Sequence, residues 1–165
     1  MELDLLSREE FIAMLGGIFE HSPWVAEAVV DARPFGTIAA LHAAMVAIVM
    51  AAEPDRQLAL LQAHPELAGK LARSGGLTAA SAGEQAGLGL DRLDAAEIAR
   101  FDRANELYRA RFGFPFIIAV KAQRDRRAIL DALETRAGHD RASELATALA
   151  EVAKIARFRL EDPTP

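Results

Sequence analysis

His64 is the histidine whose place in the sequence best suits acid–base chemistry. It stands directly before Pro65, and proline disfavours helical geometry in the residue that precedes it, so we expect His64 at a helix end. With an ordinary pKa of about 6.5, a histidine can give or take a proton near neutral pH. The structural alternative is a histidine that only interacts with the last carbonyls and the dipole of its helix.

A second group, Ser81, Glu84 and Gln85, places a hydroxyl, a carboxylate and a primary amide within five residues. Because these groups include both donors and acceptors, they can recognise a ligand rich in amide N–H and C=O groups. The spacing Ser-x-x-Glu is also that of a capping box, in which the two side chains only start a helix. From the spacing alone, the capping interpretation is the more common one.

Two further features could contact a ligand. The apolar run 114–120 contains Pro115 and is too short for a helix of its own, so we interpret it as a buried extended segment. Its backbone N–H and C=O groups are not satisfied by a helix, and a flat heterocycle can pair with them. Near the C-terminus, Arg157 or Arg159 could hold a carboxylate with its planar guanidinium, although such arginines commonly interact with the helix dipole.

The elements that position these residues are predicted to be helices, because alanine and leucine dominate and β-branched residues rarely alternate with polar ones. Capping patterns place helix starts at Ser7 with Glu10, Ser22 with Pro23, Asp55, Asp94 with Glu97, and Asp140. The helices are expected over about 7–19, 22–32, 37–53, 55–64, 94–112, 125–137 and 140–160. The third is apolar nearly all round, and we expect it at the centre of the core.

The glycine-rich stretch 69–89 is predicted to form short helices and turns. No repeat, linker or domain boundary is evident, so residues 1–165 are expected to form a single domain. The fold class predicted from these patterns is all-α. The expected architecture is a single-domain compact helical bundle with a short irregular or extended segment near 114–120.

Composition and missing motifs exclude several classes of protein. The chain has no cysteine, which rules out disulfides, thiolate metal sites and a thiol nucleophile. A net charge of -5 argues against a nucleic-acid binder, which needs a basic face. The longest apolar run, 38–52, is interrupted by His42 and is shorter than the roughly 20 residues of a membrane span, so we expect a cytoplasmic protein without a membrane segment. No Walker, dinucleotide-binding or H-E-x-x-H pattern occurs.

Five stretches in this order resemble one known family. They are Leu15–Trp24, His64–Lys70, Ser81–Leu88, Asn105–Ile118 and Ile155–Leu160, and together they span nearly the whole chain. The block H-P-E-L, followed by S-x-x-E-Q and R-F-G-F-P-F, is specific as a set. The chain resembles the 2-oxo-4-hydroxy-4-carboxy-5-ureidoimidazoline (OHCU) decarboxylases of urate breakdown.

The resemblance implies an all-helical, cofactor-free and metal-free enzyme that converts OHCU to (S)-allantoin and CO2, and that forms a homodimer. It implies His64 as the acid–base residue and a substrate contact at Glu84, to which we also assign a catalytic role. The substrate contacts that it implies are Pro65, Ser81, Gln85, Phe116, Ile117, Ile118, Ala119, Val120 and Arg159, with Arg157 as the weaker match for the arginine. Animal members often end in a peroxisomal signal that the sequence Asp162–Pro165 does not match, so a cytoplasmic location is expected.

The chemistry of this substrate suits these residue types. Its carboxylate lies on a carbon next to a ring C=N bond, which can take up the electron pair as CO2 leaves, so the substrate is its own electron sink. We expect His64 to move the proton and Glu84 to hold the imidazole or a ring N–H. Ser81 and Gln85 are expected to bind the ureido and carbonyl groups, backbone groups near Ile118 to fix the ring, and Arg159 to offset negative charge.

Three other functions are compatible with the same residues. A non-catalytic helical module could bind a small ureido or amide-rich ligand in the same pocket. A metal-dependent hydrolase could use His64 with His21 or His42. A purely structural helical adaptor is a third possibility, although it has no need for the irregular glycine-rich stretch.

Overall fold

The computed structural model describes residues 1–69 and 74–162, and this part of the chain contains helices and no strand. The α-helices are α1 (Arg8–Leu15), α2 (Trp24–Val29), α3 (Ile38–Met50), α4 (Pro54–Gln62), α5 (Ala79–Ala86), α6 (Ala95–Phe112), α7 (Arg126–Arg136) and α8 (Arg141–Glu161). Short 3₁₀ helices cover Glu2–Leu5, Val30–Ala32 and Val120–Ala122. The all-α prediction is confirmed. Lys70, in the H-P-E-L block, lies outside the described residues.

Local capping chemistry sets most of the helix starts. Ser7 and Asp94 each form a reciprocal capping box with the glutamate three residues later, as the sequence predicts. The predicted cap at Asp55 is wrong, because the N-cap of α4 is Glu53, two residues earlier, and Pro54 lies in the first turn. Helix α2 likewise begins after Pro23 as its N-cap, not after Ser22.

The role predicted for α3 is only partly correct. This helix packs against α2 and α8, but only one stripe of its apolar surface, formed by Leu41, Met45 and Val49, is buried. Met50, at its end, is 55% exposed. Helix α8 packs against α4 as well as α3, and the segment 114–120 is also part of the core.

The segment 114–120 is buried throughout and has no regular secondary structure from 115 to 119. It follows the left-handed Gly113 that ends α6, as the sequence predicts. The rings of Phe112, Phe114 and Phe116 surround that of Tyr108 at centroid distances of 4.7, 6.0 and 5.4 Å. Aromatic packing therefore anchors the beginning of an otherwise irregular segment.

Within the described residues, no single helix is long and apolar enough to cross a membrane. Helices α3 and α4 reach that length and apolar character only when they are taken together. The two helices are bent by 115° at the break between them.

Candidate active site

His64 lies just beyond the C-terminal end of α4, where Pro65 turns the chain away from the helix. Its side chain is buried, and Nδ1 is 3.0 Å from the carbonyl oxygen of Leu60. Because a carbonyl can only accept a hydrogen bond, we assign the ring proton to Nδ1. Nε2 then carries a lone pair, and no described group forms a hydrogen bond with it. The imidazole is therefore oriented as a base.

Burial lowers the pKa of His64 to about 4, because the imidazolium ion would lose its hydration. The hydrogen bond to the Leu60 carbonyl and the negative charge of Glu20 oppose this effect without cancelling it, and the positive charge of Arg159 adds to it. At neutral pH, the ring is therefore neutral and Nε2 is unprotonated.

This depressed pKa predicts a pH dependence of stability. The pKa is about 4 in the folded protein and 6.5 ordinarily, so the unfolded chain binds a proton first as the pH falls. The stability linked to neutral His64 is fully present above pH 6.5 and is lost as the pH approaches 4, by about 3 kcal/mol. Urea unfolding of the wild type and His64→Asn at several pH values measures it. We expect a shallower pH dependence in the variant, and parallel curves would contradict the assignment.

Helix α5 presents the second group of polar residues. Its N-cap is Thr78, whose Oγ1 accepts a hydrogen bond from the backbone N–H of Ser81. Ser81 therefore lies inside the helix, and the capping-box interpretation of Ser81 with Glu84 is wrong. Ser81, Glu84 and Gln85 share one face, because residues three and four apart are neighbours on a helix.

Gln85 links α5 to the turn that follows His64. Its Oε1 accepts a hydrogen bond of 2.9 Å from the backbone N–H of Ala68, a residue with φ of 54° in the left-handed region. Its Nε2 is buried and has no hydrogen-bond partner among the described residues. Asn105 of α6 donates to the carbonyl of Leu67 in the same turn. Gln85 is thus held by one end and keeps a free donor at the other.

Arg159 of α8 is buried between two carboxylates. Its Nε and Nη2 donate to Glu84 at 2.7 and 3.0 Å, and its Nη1 donates to Glu20 at 2.8 Å. Nη2 also lies 3.2 Å from the hydroxyl oxygen of Ser81. Burial alone would lower the pKa of Arg159, but Glu84 and Glu20 raise it, so the guanidinium stays charged. Arg157, in contrast, pairs with Glu161 on the exposed side of the helix.

Glu20 is the charged site residue that sequence reasoning missed. It accepts hydrogen bonds from Arg159 and from the Thr78 hydroxyl, at 2.7 Å for the latter, and its side chain is 2% exposed. Burial would raise the pKa of Glu20, but the Thr78 hydrogen bond and the charge of Arg159 hold it below its usual value. In the sequence, Glu20 lies within the stretch Leu15–Trp24 that resembles the family. Its spacing from the other candidate residues did not indicate a role.

One small cavity brings these side chains together. Its volume is about 20 Å³, and it is lined by His64, Pro65, Leu67, Ser81, Glu84, Gln85, Phe116, Ile117, Ile118, Val120, Ile155 and Arg159. Every predicted site residue except Ala119 is in this lining, and Leu67 and Ile155 were not predicted. A volume of this size holds about one water molecule, so it must widen to admit a heterocycle.

Comparisons with known proteins identify relatives of this chain. Residues 4–161 match the family model described as OHCU decarboxylase. The chain is 42% identical over 161 residues to the 2-oxo-4-hydroxy-4-carboxy-5-ureidoimidazoline decarboxylase of Haloferax volcanii, covering 98% of this chain and 93% of that protein. The protein belongs to the OHCU decarboxylase family.

Solved structures extend this comparison. A crystal structure of (S)-allantoin synthase superposes with a TM-score of 0.77 at 37% identity, over 97% of this chain and 52% of that one. An OHCU decarboxylase crystallised in the presence of (S)-allantoin superposes with a TM-score of 0.70 over 93% of this chain and 96% of that one. At 22% identity, this second likeness shows the fold alone.

Of the two contacts expected of Glu84, the one to the His64 imidazole is not formed in the structure. Glu84 was expected to hold the His64 imidazole or a ring N–H of the substrate, but its two carboxylate oxygens accept hydrogen bonds from Arg159. The Nδ1–H of His64 is held by Leu60 instead. The described structure therefore shows an indirect link, in which Glu84 fixes Arg159, and Arg159 contributes to the electrostatic field at His64.

The metal-dependent alternative requires His64 to bind a metal ion together with His21 or His42. Within residues 1–69 and 74–162, no group of three or more histidine, aspartate and glutamate side chains could hold a metal ion. His42 is hydrogen-bonded through Nε2 to the Ala153 carbonyl, at 2.7 Å. His21 lies beside the site, in a groove of about 1400 Å³ that Glu84 and Arg159 also line.

Proposed function

We propose that this protein decarboxylates OHCU to (S)-allantoin and CO2 in urate degradation, with no cofactor. The observation that carries the proposal is the buried, neutral imidazole of His64 in a member of the OHCU decarboxylase family. Its Nε2 has no hydrogen-bond partner among the described residues, and His64 lines one cavity with Gln85 and Arg159. A proton acceptor, an amide donor and a cation around one planar ligand are what this decarboxylation requires.

The reaction balances without an external electron carrier. The bond between ring carbon 4 and the carboxylate breaks, and its electron pair forms a double bond between carbons 4 and 5. The pair of the former C=N bond moves to nitrogen, which takes a proton. The 4-hydroxyl then becomes a carbonyl as its proton is lost, and carbon 5 gains a proton on one face. Because carbon 5 carries the ureido group, that last step sets the handedness of allantoin.

His64 is suited to the proton transfers in this sequence. Its Nε2 is unprotonated at neutral pH and can accept the hydroxyl proton of the substrate and deliver a proton to one face of carbon 5. The buried ring cannot reorient freely, because Nδ1–H is tied to the Leu60 carbonyl. A fixed proton donor on one side of a planar intermediate yields a single enantiomer.

The other lining residues bind and orient the substrate in this proposal. The free Nε2 of Gln85 and the hydroxyl of Ser81 would bind the ureido and carbonyl oxygens, and Pro65 and the segment 116–120 would contact the ring. Arg159 would face the carboxylate. The charge of Arg159 is already balanced by Glu20 and Glu84, so the arginine orients the substrate carboxylate more than it attracts it. A weakly stabilised carboxylate loses its charge more easily as CO2 leaves.

Glu84→Gln tests the position of that arginine. The amide keeps the shape of the side chain but removes the charge that holds Arg159 in a two-pronged hydrogen bond. We expect kcat/KM to fall by about 10-fold to 100-fold, with the larger part in kcat, because a misplaced guanidinium affects the transition state most. Steady-state decarboxylation kinetics measure it. Glu161→Gln, which alters the exposed pair with Arg157, is the matched control and should leave the kinetics unchanged.

The assay that tests the function supplies the unstable substrate in place. Purified protein is added to urate oxidase and hydroxyisourate hydrolase acting on urate, and circular dichroism follows the optical activity of the product. We expect rapid formation of (S)-allantoin, against a slow racemic background without the protein. A non-catalytic binding module would leave the background rate unchanged, and this outcome would overturn the proposal.

Three wider features of the proposal come from the family resemblance. They are a homodimeric state, a cytoplasmic location, and activity without metal or partners other than the small-molecule substrate, so that neither nucleic acid nor a membrane takes part. Light scattering after gel filtration tests the dimer. Full activity in EDTA is expected, and inactivation by the chelator would favour the metal-dependent alternative.

A further inference from the structure

A buried polar network contacts the segment 114–120 from outside the cavity lining. Glu144 of α8 is fully buried, and its Oε1 accepts hydrogen bonds from Nε and Nη2 of Arg136, at 2.8 and 2.6 Å, and from the Tyr108 hydroxyl. His139 Nδ1 lies 3.0 Å from the other carboxylate oxygen. None of these four residues lines the cavity. The proposed reaction gives the network no role.

The network ends on the backbone of the substrate-binding segment. The remaining terminal nitrogen of Arg136, Nη1, donates a hydrogen bond of 2.8 Å to the carbonyl oxygen of Ile117. The guanidinium also lies 4.5 Å from the centre of the Phe116 ring. Because Glu144 Oε1 accepts from both N–H groups along one edge of the planar group, the direction of Nη1 is determined, and Ile117 is held in one place.

A second carboxylate of α8 holds the same segment two residues later. Glu151 Oε2 accepts a hydrogen bond of 2.8 Å from the backbone N–H of Ala119. This bond occupies the backbone N–H of Ala119, and Ala119, a predicted substrate contact, is absent from the cavity lining. The other oxygen of Glu151 pairs with Lys154 at 2.6 Å. Glu144 and Glu151 are seven residues apart, so they lie on the same side of α8.

Ile118 lies between these two tethers and is different from its neighbours. It is buried and lines the cavity, yet no described residue forms a hydrogen bond with its backbone N–H or C=O. In an extended chain, the polar groups of successive residues point to opposite sides. Tethers that draw the Ile117 carbonyl and the Ala119 N–H toward α7 and α8 therefore leave the Ile118 groups on the opposite side of the segment, and Ile118 itself lines the cavity.

We propose that Arg136 and Glu151 are positioning residues that present the backbone N–H and C=O of Ile118 to the substrate ring. This inference rests on the proposed function and deepens it. A heterocyclic amide offers one donor and one acceptor side by side, which matches the pair on Ile118. Holding the ring at this edge determines which of its faces meets His64, and so which enantiomer of allantoin forms.

Glu151→Ala removes one tether and is the main test. We expect kcat/KM to fall by about 10-fold to 100-fold, and the excess of (S)-allantoin to fall well below that of the wild type, because the ring can bind with either face toward His64. The enzyme concentration is raised until the catalysed rate equals that of the wild type, so that the racemic background contributes equally. A residue needed only for folding would lower the active fraction without changing the handedness of the product.

Conservative and control variants separate positioning from charge. Glu151→Gln keeps an oxygen that can accept the Ala119 N–H, so it is expected to restore the excess of (S)-allantoin. Lys154→Ala removes only the exposed ion pair of Glu151 and should behave as the wild type. Arg136→Lys keeps a charge opposite Glu144 but loses the planar fork that reaches Ile117, so it should resemble Glu151→Ala.

If Glu151→Ala does not fold, a measurement on the wild type tests whether the backbone of Ile118 binds the ligand. Saturating (S)-allantoin is expected to shift the Ile118 amide resonance and slow its hydrogen exchange, while the Ala119 amide, already bonded to Glu151, exchanges slowly with or without it. No response at Ile118, or full (S) excess in a folded Glu151→Ala, would overturn this inference. A wild type that does not accelerate formation of (S)-allantoin would instead overturn the proposed function.

Discussion

Replacing His64 with asparagine is expected to lower kcat/KM for OHCU by about 10²-fold to 10⁴-fold, the range that one positioned acid–base group contributes. Asparagine can still donate to the Leu60 carbonyl, but it has no group that exchanges a proton near neutral pH. Because nothing then protonates carbon 5 on a chosen face, we also expect the product to become racemic. Circular dichroism of the product gives the handedness, and release of CO2 gives the rate.

His42→Asn is the matched control for this variant. His42 binds the Ala153 carbonyl and does not line the cavity, so its loss should leave the rate and handedness unchanged once the folded fraction is equal. Full-rate formation of (S)-allantoin by His64→Asn would show that another group moves the proton. His64→Asn is also the variant used in the pH-dependent unfolding experiment. It therefore tests both the proton transfer by His64 and the effect of the buried imidazole on stability.

Arg159→Met should cause the largest combined loss of stability and activity. It leaves Glu20 and Glu84 without their shared cation, and breaking a buried ion pair from one side costs about 3–5 kcal/mol. Loss of the group that orients the substrate carboxylate should also lower kcat/KM by about 10²-fold, because a misplaced substrate seldom reaches the reactive geometry. Urea unfolding and steady-state kinetics measure the two losses separately.

Arg157→Met supplies the comparison, since it makes the same chemical change two residues away. Arg157 pairs only with Glu161 on the surface, and an exposed pair contributes about 0–1 kcal/mol. Adding Glu20→Gln to Arg159→Met should recover part of the lost stability, because one buried carboxylate no longer needs a cation, but no activity. Equal effects of the two arginine variants would contradict the assignment of Arg159 to the site.

Short-range chemistry made much of this structure predictable. The capping boxes at Ser7 and Asp94, the turn at Gly113 and the junction at His64 each depend on residues within a few positions of one another. The burial of the segment 114–120 followed from its apolar character, and the all-helical class followed from composition. The family was recognisable because its motifs are contiguous stretches.

Contacts between distant residues decided the rest. The spacing of Ser81 and Glu84 is typical of a helix cap, but the N-cap is Thr78. The carboxylate of Glu84 instead accepts a hydrogen bond from Arg159, 75 residues further along the chain. The same folding buries Glu20 against Arg159 and ties Ala119 to Glu151. No local pattern encodes these pairings.

The sequence by itself therefore determined which chemical groups this protein has and the helices that carry them. Tertiary structure decided their state: that His64 is a neutral base with its proton on Nδ1, and that Arg159, not Arg157, reaches the cavity. The physical reason is that protonation and ion pairing depend on desolvation and on the nearest charges, and both are set by chain segments that meet only when the protein folds.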